Sequence, residues 1–263
     1  MKYCRYQSFA GPVYGLVHEA ADGWVVTATL DSPWAEEPAV TALPEPMALD
    51  DLALLPPVAP GKIVCVGRNY RDHAKELGND VPAEPLLFWK PTSSLLAPGG
   101  TIVRPPVAER VDFEGELAVV IGRRARKLLA TDDIAPYIHG FTLANDVTAR
   151  DLQKKDGQWT RAKGFDTFCP VGPIVDTAFP LSPGISLETH VNGELRQHGS
   201  TADFIFDIPT LLAYITAAFT LEPGDLLLTG TPAGVGPLVA GDEVTVSVPG
   251  LGRLTNVVAD EQG

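Results

Sequence analysis

The amino-acid sequence predicts a mainly β, α+β protein in which mixed, mostly antiparallel strands outnumber helices. Short runs of β-branched and aromatic residues, bounded by turn residues, recur along the chain. The 263 residues include 25 glycines and 24 prolines, a proportion that implies many turns. Strands and helices do not alternate regularly, which disfavours a Rossmann fold.

The first 60 residues are predicted to form a small N-terminal β lobe with a proline-rich connection. Val13–Val17 and Trp24–Leu30 have the composition of strands, with turn chemistry at Asp22-Gly23 between them. Prolines at positions 44, 46, 56, 57 and 60 are expected to interrupt any regular element. We therefore place a domain boundary near residues 57–61, which divides the chain into 1–60 and 61–263.

The remainder of the chain is predicted to contain further strands and one clear helix. Asn192-Gly193 is typical of a hairpin turn. Asp207 begins a helical pattern that extends to Phe219, with Asp207 as the N-cap and a proline in the first turn. The short β-type runs are Lys62–Val66, Leu86–Trp89, Leu117–Ile121, Leu226–Leu228 and Val244–Val248.

Composition excludes several classes of protein. Hydrophobic residues make up 45% and charged residues 20% of the chain, which is globular rather than disordered composition. The formal charge of −13 disfavours binding to nucleic acid or to an anionic membrane. No apolar run approaches the roughly 20 residues that span a bilayer, so a cytoplasmic protein is expected. Three widely spaced cysteines indicate neither a disulfide framework nor a zinc site.

One segment concentrates carboxylates. If residues 110–122 form a single strand, its period of two places Asp112, Glu114 and Glu116 on one face, about 7 Å apart. Like charges on a half-buried face raise one another's pKa unless a cation lies between them. The pattern therefore favours a divalent metal site, with a solvated acidic face as the alternative.

A further ligand is predicted at Asp146, which ends the strand-like run that starts at Phe141. Its alternative role is to cap the following helical turn. All-oxygen ligation selects Mg²⁺ or Mn²⁺, with Ca²⁺ as a further option in a crystal. Three carboxylates would leave three octahedral positions for water and a chelating substrate.

His73 and Glu76 form a candidate catalytic pair. If residues 70–77 make a short helix closed by Gly78, the two side chains face the same way at i,i+3. The carboxylate would then hold the imidazole tautomer and raise its basicity. A pair of unrelated surface residues is the alternative.

Two other segments carry weaker signals. Lys163 lies between Trp159 and Phe165 and is a candidate oxyanion stabiliser or, alternatively, a surface lysine. The glycine-rich run at 230–236 follows a predicted strand. It matches neither dinucleotide-binding nor P-loop spacing, so a tight turn is favoured over a nucleotide loop.

Seven motifs occur in the order found in the fumarylacetoacetate hydrolase family: GRNYRDHAKE, FWKPTSSL, VDFEGELAVVIG, ANDVTARDLQ, RAKGFDTFCPVGP, VNGELRQ and LEPGDLLLTGTPAGVG. Residues from about 61 to 250 resemble that family's catalytic domain, within its acylpyruvase or 2-hydroxyhepta-2,4-diene-1,7-dioate isomerase-like branch. Residues 1–60 are similar to the small lobe of many bacterial members. The resemblance implies a mixed β-roll, a homodimer and a bound Mg²⁺ or Mn²⁺.

The resemblance also implies roles for individual residues. The family's E-x-E…D ligand set falls on Glu114, Glu116 and Asp146, whereas Asp112 is not a ligand position. The H-x-x-E pair of the lid falls on His73 and Glu76. The remaining matches are the active-site lysine Lys163 and the substrate-side positions Arg68, Gln153 and Thr231.

Family members act on 2-oxo acids that carry a second carbonyl. We expect hydrolysis of a C–C bond in an acylpyruvate-type substrate, in which His73 with Glu76 deprotonates water while Lys163 and Thr231 receive the oxyanion. The alternatives are decarboxylation or tautomerisation of oxaloacetate, isomerisation of a hydroxymuconate and, remotely, a non-catalytic metal-binding protein. Roughly residues 70–82 are expected to show weak density, high mobility or an open position in the ligand-free protein, with His73 far from the metal, and to become ordered when an oxalate-like chelator binds.

Overall fold

The computed structural model describes residues 1–21, 23–76, 78, 80–182 and 184–262. Three sheets and several short helices confirm the mainly β, α+β class. The strands are β1 (Lys2–Ser8), β2 (Gly11–Ala20), β3 (Gly23–Leu30), β4 (Val40–Ala48), β5 (Leu54–Leu55), β6 (Ile63–Gly67), β7 (Leu86–Lys90), β8 (Leu95–Leu96), β9 (Thr101–Arg104), β10 (Val111–Phe113), β11 (Gly115–Ile121), β12 (Ile138–Asn145), β13 (Thr148–Ala149), β14 (Cys169–Asp176), β15 (Ser186–Val191), β16 (Glu194–Ser200), β17 (Leu226–Leu228), β18 (Gly236–Pro237), β19 (Glu243–Val248) and β20 (Gly252–Asp260). The helices are α1 (Arg71–Glu76), α2 (Arg150–Asp156), α3 (Thr160–Gly164) and α4 (Ile208–Ala218), with 3₁₀ turns at Leu49–Asp51, Thr92–Ser94, Ala135–Tyr137 and Thr201–Asp203.

The largest sheet has β11 near its centre. Its main path runs β4-β3-β2-β1-β14-β12-β11-β17-β6-β7. Leu117, Val119 and Ile121 of β11 belong to a core that also contains residues of β15, β19 and α4. Ala118 and Val120 point into a second core on the opposite face. Because both faces are covered, a polar side chain on this strand can only face other protein groups or an internal cavity.

The N-terminal strands extend this large sheet. β1 pairs with β14 through Lys2 opposite Asp176 and Tyr3 opposite Val175, and β2, β3 and β4 follow outward. The division at residue 60 remains a prediction. At the predicted Asp22-Gly23 turn, Asp22 lies outside the described residues.

The proline-rich connection begins later than predicted. Pro44 and Pro46 lie inside β4, which is an edge strand. The register between β3 and β4 shifts between Val26 and Ala28. The strand tolerates both prolines because an edge strand needs ladder hydrogen bonds on one side only and an irregularity relaxes even those.

The predicted single strand over 110–122 is wrong, because the chain changes sheets at Glu114. β10 pairs with β13 and β18 in a three-stranded sheet, whereas β11 belongs to the large sheet. The Glu114 N–H donates to Asn145 Oδ1 at 2.9 Å, and the Glu114 carbonyl accepts from the Asp146 N–H at 2.8 Å. These two bonds satisfy the backbone at the break, where ladder pairing stops.

Other predicted elements are confirmed. Asn192 and Gly193, with φ of 52° and 80°, form the turn between β15 and β16. The Asp207 side chain accepts from the Thr210 N–H and caps α4. The helix predicted over 70–77 is α1, and Leu77 lies outside the described residues. Within the described ranges, none of the helices is both long and apolar enough to cross a membrane.

Candidate active site

A cavity of about 380 Å³ lies where the large sheet, the three-stranded sheet, α1, α2 and α3 meet. It is lined by all nine residues that the sequence singled out: Arg68, His73, Glu76, Glu114, Glu116, Asp146, Gln153, Lys163 and Thr231. The structure therefore brings the predicted set to one place. The contacts that each of these side chains makes differ and indicate different roles.

Glu114, Glu116 and Asp146 form a carboxylate cluster. Each offers an oxygen within 4.8 Å of the others, and all three residues are buried. Glu116 lies on β11 opposite Ala144 of β12, and Asp146 follows the end of β12. The predicted convergence is confirmed, and the solvated-face alternative is wrong. The capping alternative for Asp146 is also wrong, because Ala149 occupies the N-cap of α2.

Lys163 is buried in this cluster, so the surface-lysine alternative is wrong. Its Nζ donates to Glu114 Oε2 at 2.7 Å and to Asp146 Oδ2 at 2.5 Å. Burial disfavours the charged lysine, but the attraction of Asp146 and Glu114 outweighs it and raises the pKa of Lys163. An ammonium group therefore stands in the cavity at neutral pH.

A second buried ammonium, that of Lys90, was not anticipated from the sequence. Lys90 Nζ donates to Asp146 Oδ1 at 2.6 Å and to the Val147 carbonyl at 3.2 Å. The alternation of side chains along a strand could have indicated its position, because Phe88 and Lys90 of β7 are buried while Trp89 between them is exposed. A lysine on the inward face of a strand needs a buried anion as a partner.

Arg150 is another buried side chain of the site that sequence analysis missed. Its guanidinium donates to Glu114 Oε1 at 2.6 Å, Asp112 Oδ2 at 2.9 Å and Gln153 Oε1 at 2.9 Å. Asp112 also accepts from Arg110. Asp112 thus holds two guanidinium groups. Burial by itself would raise the pKa of Glu114, but Lys163 and Arg150 bring it below its ordinary value.

Glu116 differs from its two neighbours. Among the described residues it forms no ion pair, and its Oε2 accepts from the Gly230 N–H at 2.7 Å. Burial, reinforced by Asp146 and Glu114, raises the pKa of Glu116 well above its ordinary value. A buried carboxylate without a cation partner is costly. The cluster therefore fits a hard divalent cation, because its donors are all oxygens and Glu116 has no ion-pair partner among the described residues.

The glycine-rich run at 230–236 uses its N–H groups within the protein. The Gly230 N–H binds Glu116, and the Gly234 N–H lies 3.0 Å from Glu76 Oε1. Gly230 and Gly234 both have φ of 101°, in the left-handed region that glycine tolerates. These contacts fit the predicted tight turn better than a nucleotide loop, whose N–H groups must be free for phosphate.

His73 and Glu76 of α1 meet as predicted, with 3.3 Å between Nδ1 and Oε2. The surface alternative is wrong for His73, which is only 4% exposed. Burial lowers the pKa of His73, although Glu114 and Glu76 oppose the shift. The structure also differs from the predicted open position, since His73 lines the cavity. Helix α1 is held there by the Glu76–Gly234 contact and by the T-shaped packing of the Tyr70 ring on Phe204.

The three substrate-side candidates have different surroundings. The Arg68 guanidinium lies 5.9 Å from the centre of the Trp159 ring, and Gln153 accepts from Arg150. Thr231 Oγ1 donates to the Gly115 carbonyl at 2.8 Å and accepts from Gln197 Nε2 at 2.8 Å. Gln197 was not singled out from the sequence.

Comparison with known proteins identifies the family of this chain. Residues 62–259 match the family model described as fumarylacetoacetate (FAA) hydrolase C-terminal. The chain belongs to the fumarylacetoacetate hydrolase family. Members of this family are enzymes that bind divalent metals, and the carboxylate cluster is a suitable site for such an ion.

Relatives within the fumarylacetoacetate hydrolase family include enzymes named for proton transfer. Mitochondrial oxaloacetate tautomerase FAHD1 of Arabidopsis thaliana is 49% identical over 199 residues, which is 73% of this chain and 88% of that protein. The solved structure of 5-carboxymethyl-2-hydroxymuconate delta-isomerase from Mycobacterium smegmatis is 40% identical, with a TM-score of 0.89 over 99% of this chain and 100% of that one. That of 2-hydroxyhepta-2,4-diene-1,7-dioate isomerase from Mycobacterium marinum is 40% identical, with a TM-score of 0.88 over both whole chains.

Proposed function

We propose that this protein is a divalent-metal-dependent enzyme that transfers a proton within a 2-oxo dicarboxylic acid, as a tautomerase or isomerase. The observation that carries the proposal is that a buried all-oxygen cluster and a buried imidazole face one cavity. The sequence placed C–C hydrolysis first and proton transfer second. The relatives named above include a tautomerase and two isomerases, so we reverse that order.

Glu114, Glu116 and Asp146 would hold Mg²⁺ or Mn²⁺. When bound, the ion would supply Lewis acidity toward the oxygens of the 2-oxo acid. Lys163 bridges two of the three carboxylates. With a cation bound to those carboxylates, the Lys163 ammonium would be available to stabilise the substrate oxygen on which negative charge develops.

His73 is the proposed base. Because Nδ1 faces Glu76, the tautomer with its proton on Nδ1 leaves the Nε2 lone pair free. The lowered pKa of His73 keeps the ring neutral at pH 7, which is the form that accepts a proton. Nε2 would take a proton from the acidic carbon or hydroxyl of the substrate and return it at the other end of the enol system, so that no net proton is consumed.

A cationic rim supports a dicarboxylate rather than a monocarboxylate substrate. Arg68, Arg110 and Lys154 line the same cavity in a chain whose formal charge is −13. Lys154 is exposed, and about half of the Arg110 side chain is exposed. Local positive charge on an acidic protein attracts an anionic group to that spot. We assign the rim to the second carboxylate of the substrate.

Hydrolysis of an acylpyruvate is the second candidate. The His73–Glu76 pair that favours proton transfer can also deprotonate a water molecule that attacks a distal carbonyl. Lys163 would then stabilise the oxyanion.

The two candidates are separated by their products. Purified protein with Mg²⁺ or Mn²⁺ is given freshly dissolved oxaloacetate enol, a hydroxymuconate dicarboxylate or an acylpyruvate. Loss of enol absorbance is followed together with release of pyruvate. We expect faster loss of the first two enols without pyruvate, and activity lower by about 100-fold or more for Glu116→Gln. Pyruvate from the acylpyruvate would favour hydrolysis, and pyruvate with CO₂ from oxaloacetate would favour decarboxylation. Turnover of none of them would overturn the proposal.

A further inference from the structure

We propose that Thr231 and Gln197 are positioning residues that fix the backbone between the metal-ligand candidates Glu114 and Glu116, and that the Thr231 hydroxyl does not donate to substrate. The inference rests on the proposed function only in taking the carboxylate cluster as the metal site. It replaces the oxyanion role that the sequence suggested for Thr231.

Three hydrogen bonds form a closed ring around Gly115. The Gly115 N–H donates to Gln197 Oε1 at 3.0 Å. Gln197 Nε2 donates to Thr231 Oγ1 at 2.8 Å, and Thr231 Oγ1 donates to the Gly115 carbonyl at 2.8 Å. Gln197 is fully buried and Thr231 nearly so. The backbone N–H and the backbone carbonyl of Gly115 are therefore each hydrogen-bonded to a side chain, and those two side chains, Gln197 and Thr231, are hydrogen-bonded to each other.

The donors and acceptors in the ring can be arranged in only one way. The Gly115 N–H needs an acceptor, so the Gln197 oxygen must face it and the Gln197 nitrogen must face Thr231. That nitrogen uses its second hydrogen on the Pro232 carbonyl at 2.8 Å. The Gly115 carbonyl only accepts, so it takes the single hydroxyl hydrogen of Thr231. No hydrogen remains on Thr231 for a substrate oxygen.

The residue inside the ring lies where the chain changes sheets. Glu114 precedes Gly115 at the break between β10 and β11, and Glu116 follows it. A Cβ on residue 115 would lie 2.1 Å from Thr189 Oγ1 of β15. Gly115 thus packs closely against β15, and the Gln197 side chain of the adjacent β16 accepts a hydrogen bond from the Gly115 N–H. The short distance between the two sheets allows a side chain of the five-stranded sheet to hold a segment of the large sheet.

The ring complements a second clamp on the same segment. Asn145 Oδ1 accepts from the Glu114 N–H, while Gln197 Oε1 accepts from the Gly115 N–H. Side-chain carbonyls from two different sheets therefore fix two successive N–H groups. Residues that orient metal ligands in this way typically change metal affinity by 10- to 100-fold when they are replaced.

The test is a double-mutant cycle read by Mn²⁺ affinity. Gln197→Met and Thr231→Val keep the side-chain volume and each break the ring, whereas Thr231→Ser keeps it. We expect each of the first two variants to weaken Mn²⁺ binding about 10-fold, their combination to weaken it about 10-fold rather than 100-fold, and Thr231→Ser to bind like the parent. Thr245→Val is the control, because it removes a partly buried hydroxyl pair with Thr255 in the same five-stranded sheet.

Parent-like Mn²⁺ affinity in Gln197→Met or Thr231→Val, or strictly additive losses, would overturn the positioning role. So would an equal loss in Thr245→Val, which would indicate a general effect of destabilisation. If the variants do not fold, a crystal structure of the parent with Mn²⁺ and oxalate decides: the Thr231 hydroxyl must remain on the Gly115 carbonyl, and a hydrogen bond from it to oxalate contradicts us. None of these readouts requires turnover, so they stand apart from the outcome of the substrate assays.

Discussion

The two sides of the cavity are held in different ways. Glu116 and Asp146 belong to, or directly follow, the neighbouring central strands β11 and β12, and both are buried. His73 and Glu76 lie on α1, a helix of six residues, most of whose described side chains are exposed. Within the described part of the chain, Glu76 supplies the helix's side-chain hydrogen bonds to the rest of the protein, through Gly234.

The positions of the metal-ligand candidates and the position of the proposed base, His73, therefore depend on different parts of the fold. Strand pairing and the buried side chains of Lys90, Arg150 and Lys163 hold the carboxylates in place. The arrangement costs free energy, because it brings like charges together. The base is carried by an element with little buried area, which costs little free energy to displace. Substitutions on the strand side should therefore change metal affinity, while those on α1 should change turnover alone.

The largest effect is expected from Glu116→Gln. Mn²⁺ affinity and kcat/KM should each fall by roughly 100-fold or more, because one of three charged ligands is lost. Calorimetric Mn²⁺ titration and the enol assay measure the two quantities.

The same variant should stabilise the metal-free protein at alkaline pH. The folded-state pKa of Glu116 is raised, so its contribution to stability is lost as pH rises from its unfolded value near 4.5 through the folded one. Gln removes this loss, and Tm at pH 8 should rise by about 2–4 °C per kcal/mol recovered. A lower Tm for the metal-free variant at pH 8 would mean that Glu116 is not strained by burial.

His73→Ala should separate the two sides of the cavity. We expect kcat/KM to fall by about 10²–10⁴-fold, the usual range for a general base, while Mn²⁺ affinity stays within about 2-fold of the parent. Loss of the metal in this variant, or turnover at the parent rate, would end the assignment of His73 as the base.

The pH profile should move with Glu76. Burial lowers the pKa of His73 from 6.5, and Glu76 acts in the opposite direction. The acid limb of kcat/KM should therefore have its midpoint below pH 6.5, since activity needs the neutral ring. Glu76→Gln should shift this midpoint further toward acid. A midpoint at or above 6.5 in the parent, or a shift toward alkali in the variant, would contradict the buried position of His73.

The smallest effect concerns the stability of α1 itself. Arg71 and Lys75 are exposed on the helix and are sites for trypsin. We expect Mn²⁺ with oxalate to slow cleavage after these residues by about 3- to 10-fold, because ligand binding favours the closed helix. Mass spectrometry of the early fragments identifies the bonds. Cleavage at an unchanged rate would mean that ligand binding does not stabilise α1, contrary to the expected mobility of this helix.

How far the sequence predicts the molecule depends on the range of the contacts involved. The α4 cap at Asp207 and the hairpin turn at Asn192 depend on neighbours a few residues away, and both are confirmed. The convergence of Glu114, Glu116 and Asp146 followed from the family motif as much as from strand periodicity. The period of two alone led to the incorrect single strand over 110–122. It cannot show that the Glu114 N–H binds the Asn145 side chain instead of a neighbouring strand.

The missed residues share one property: their partners are far away in sequence. Lys90 meets Asp146 across 56 residues, and Gln197 meets Gly115 across 82. Local patterns can show that Lys90 faces inward, but not which anion it meets. Arg150 is four residues from Asp146 but binds Asp112 and Glu114, 38 and 36 residues away, which only the tertiary fold reveals.

The prolines of β4 have a consequence for the protein in a crowded solution. This strand is one outer edge of the twelve-stranded sheet, and it is largely exposed. An open edge is a template on which a strand of another molecule can add. Pro44 and Pro46 remove two N–H donors from that edge, so an incoming strand finds an interrupted ladder. The two prolines that led the sequence analysis to place a linker here therefore make the outer edge of β4 a poorer template for strand addition.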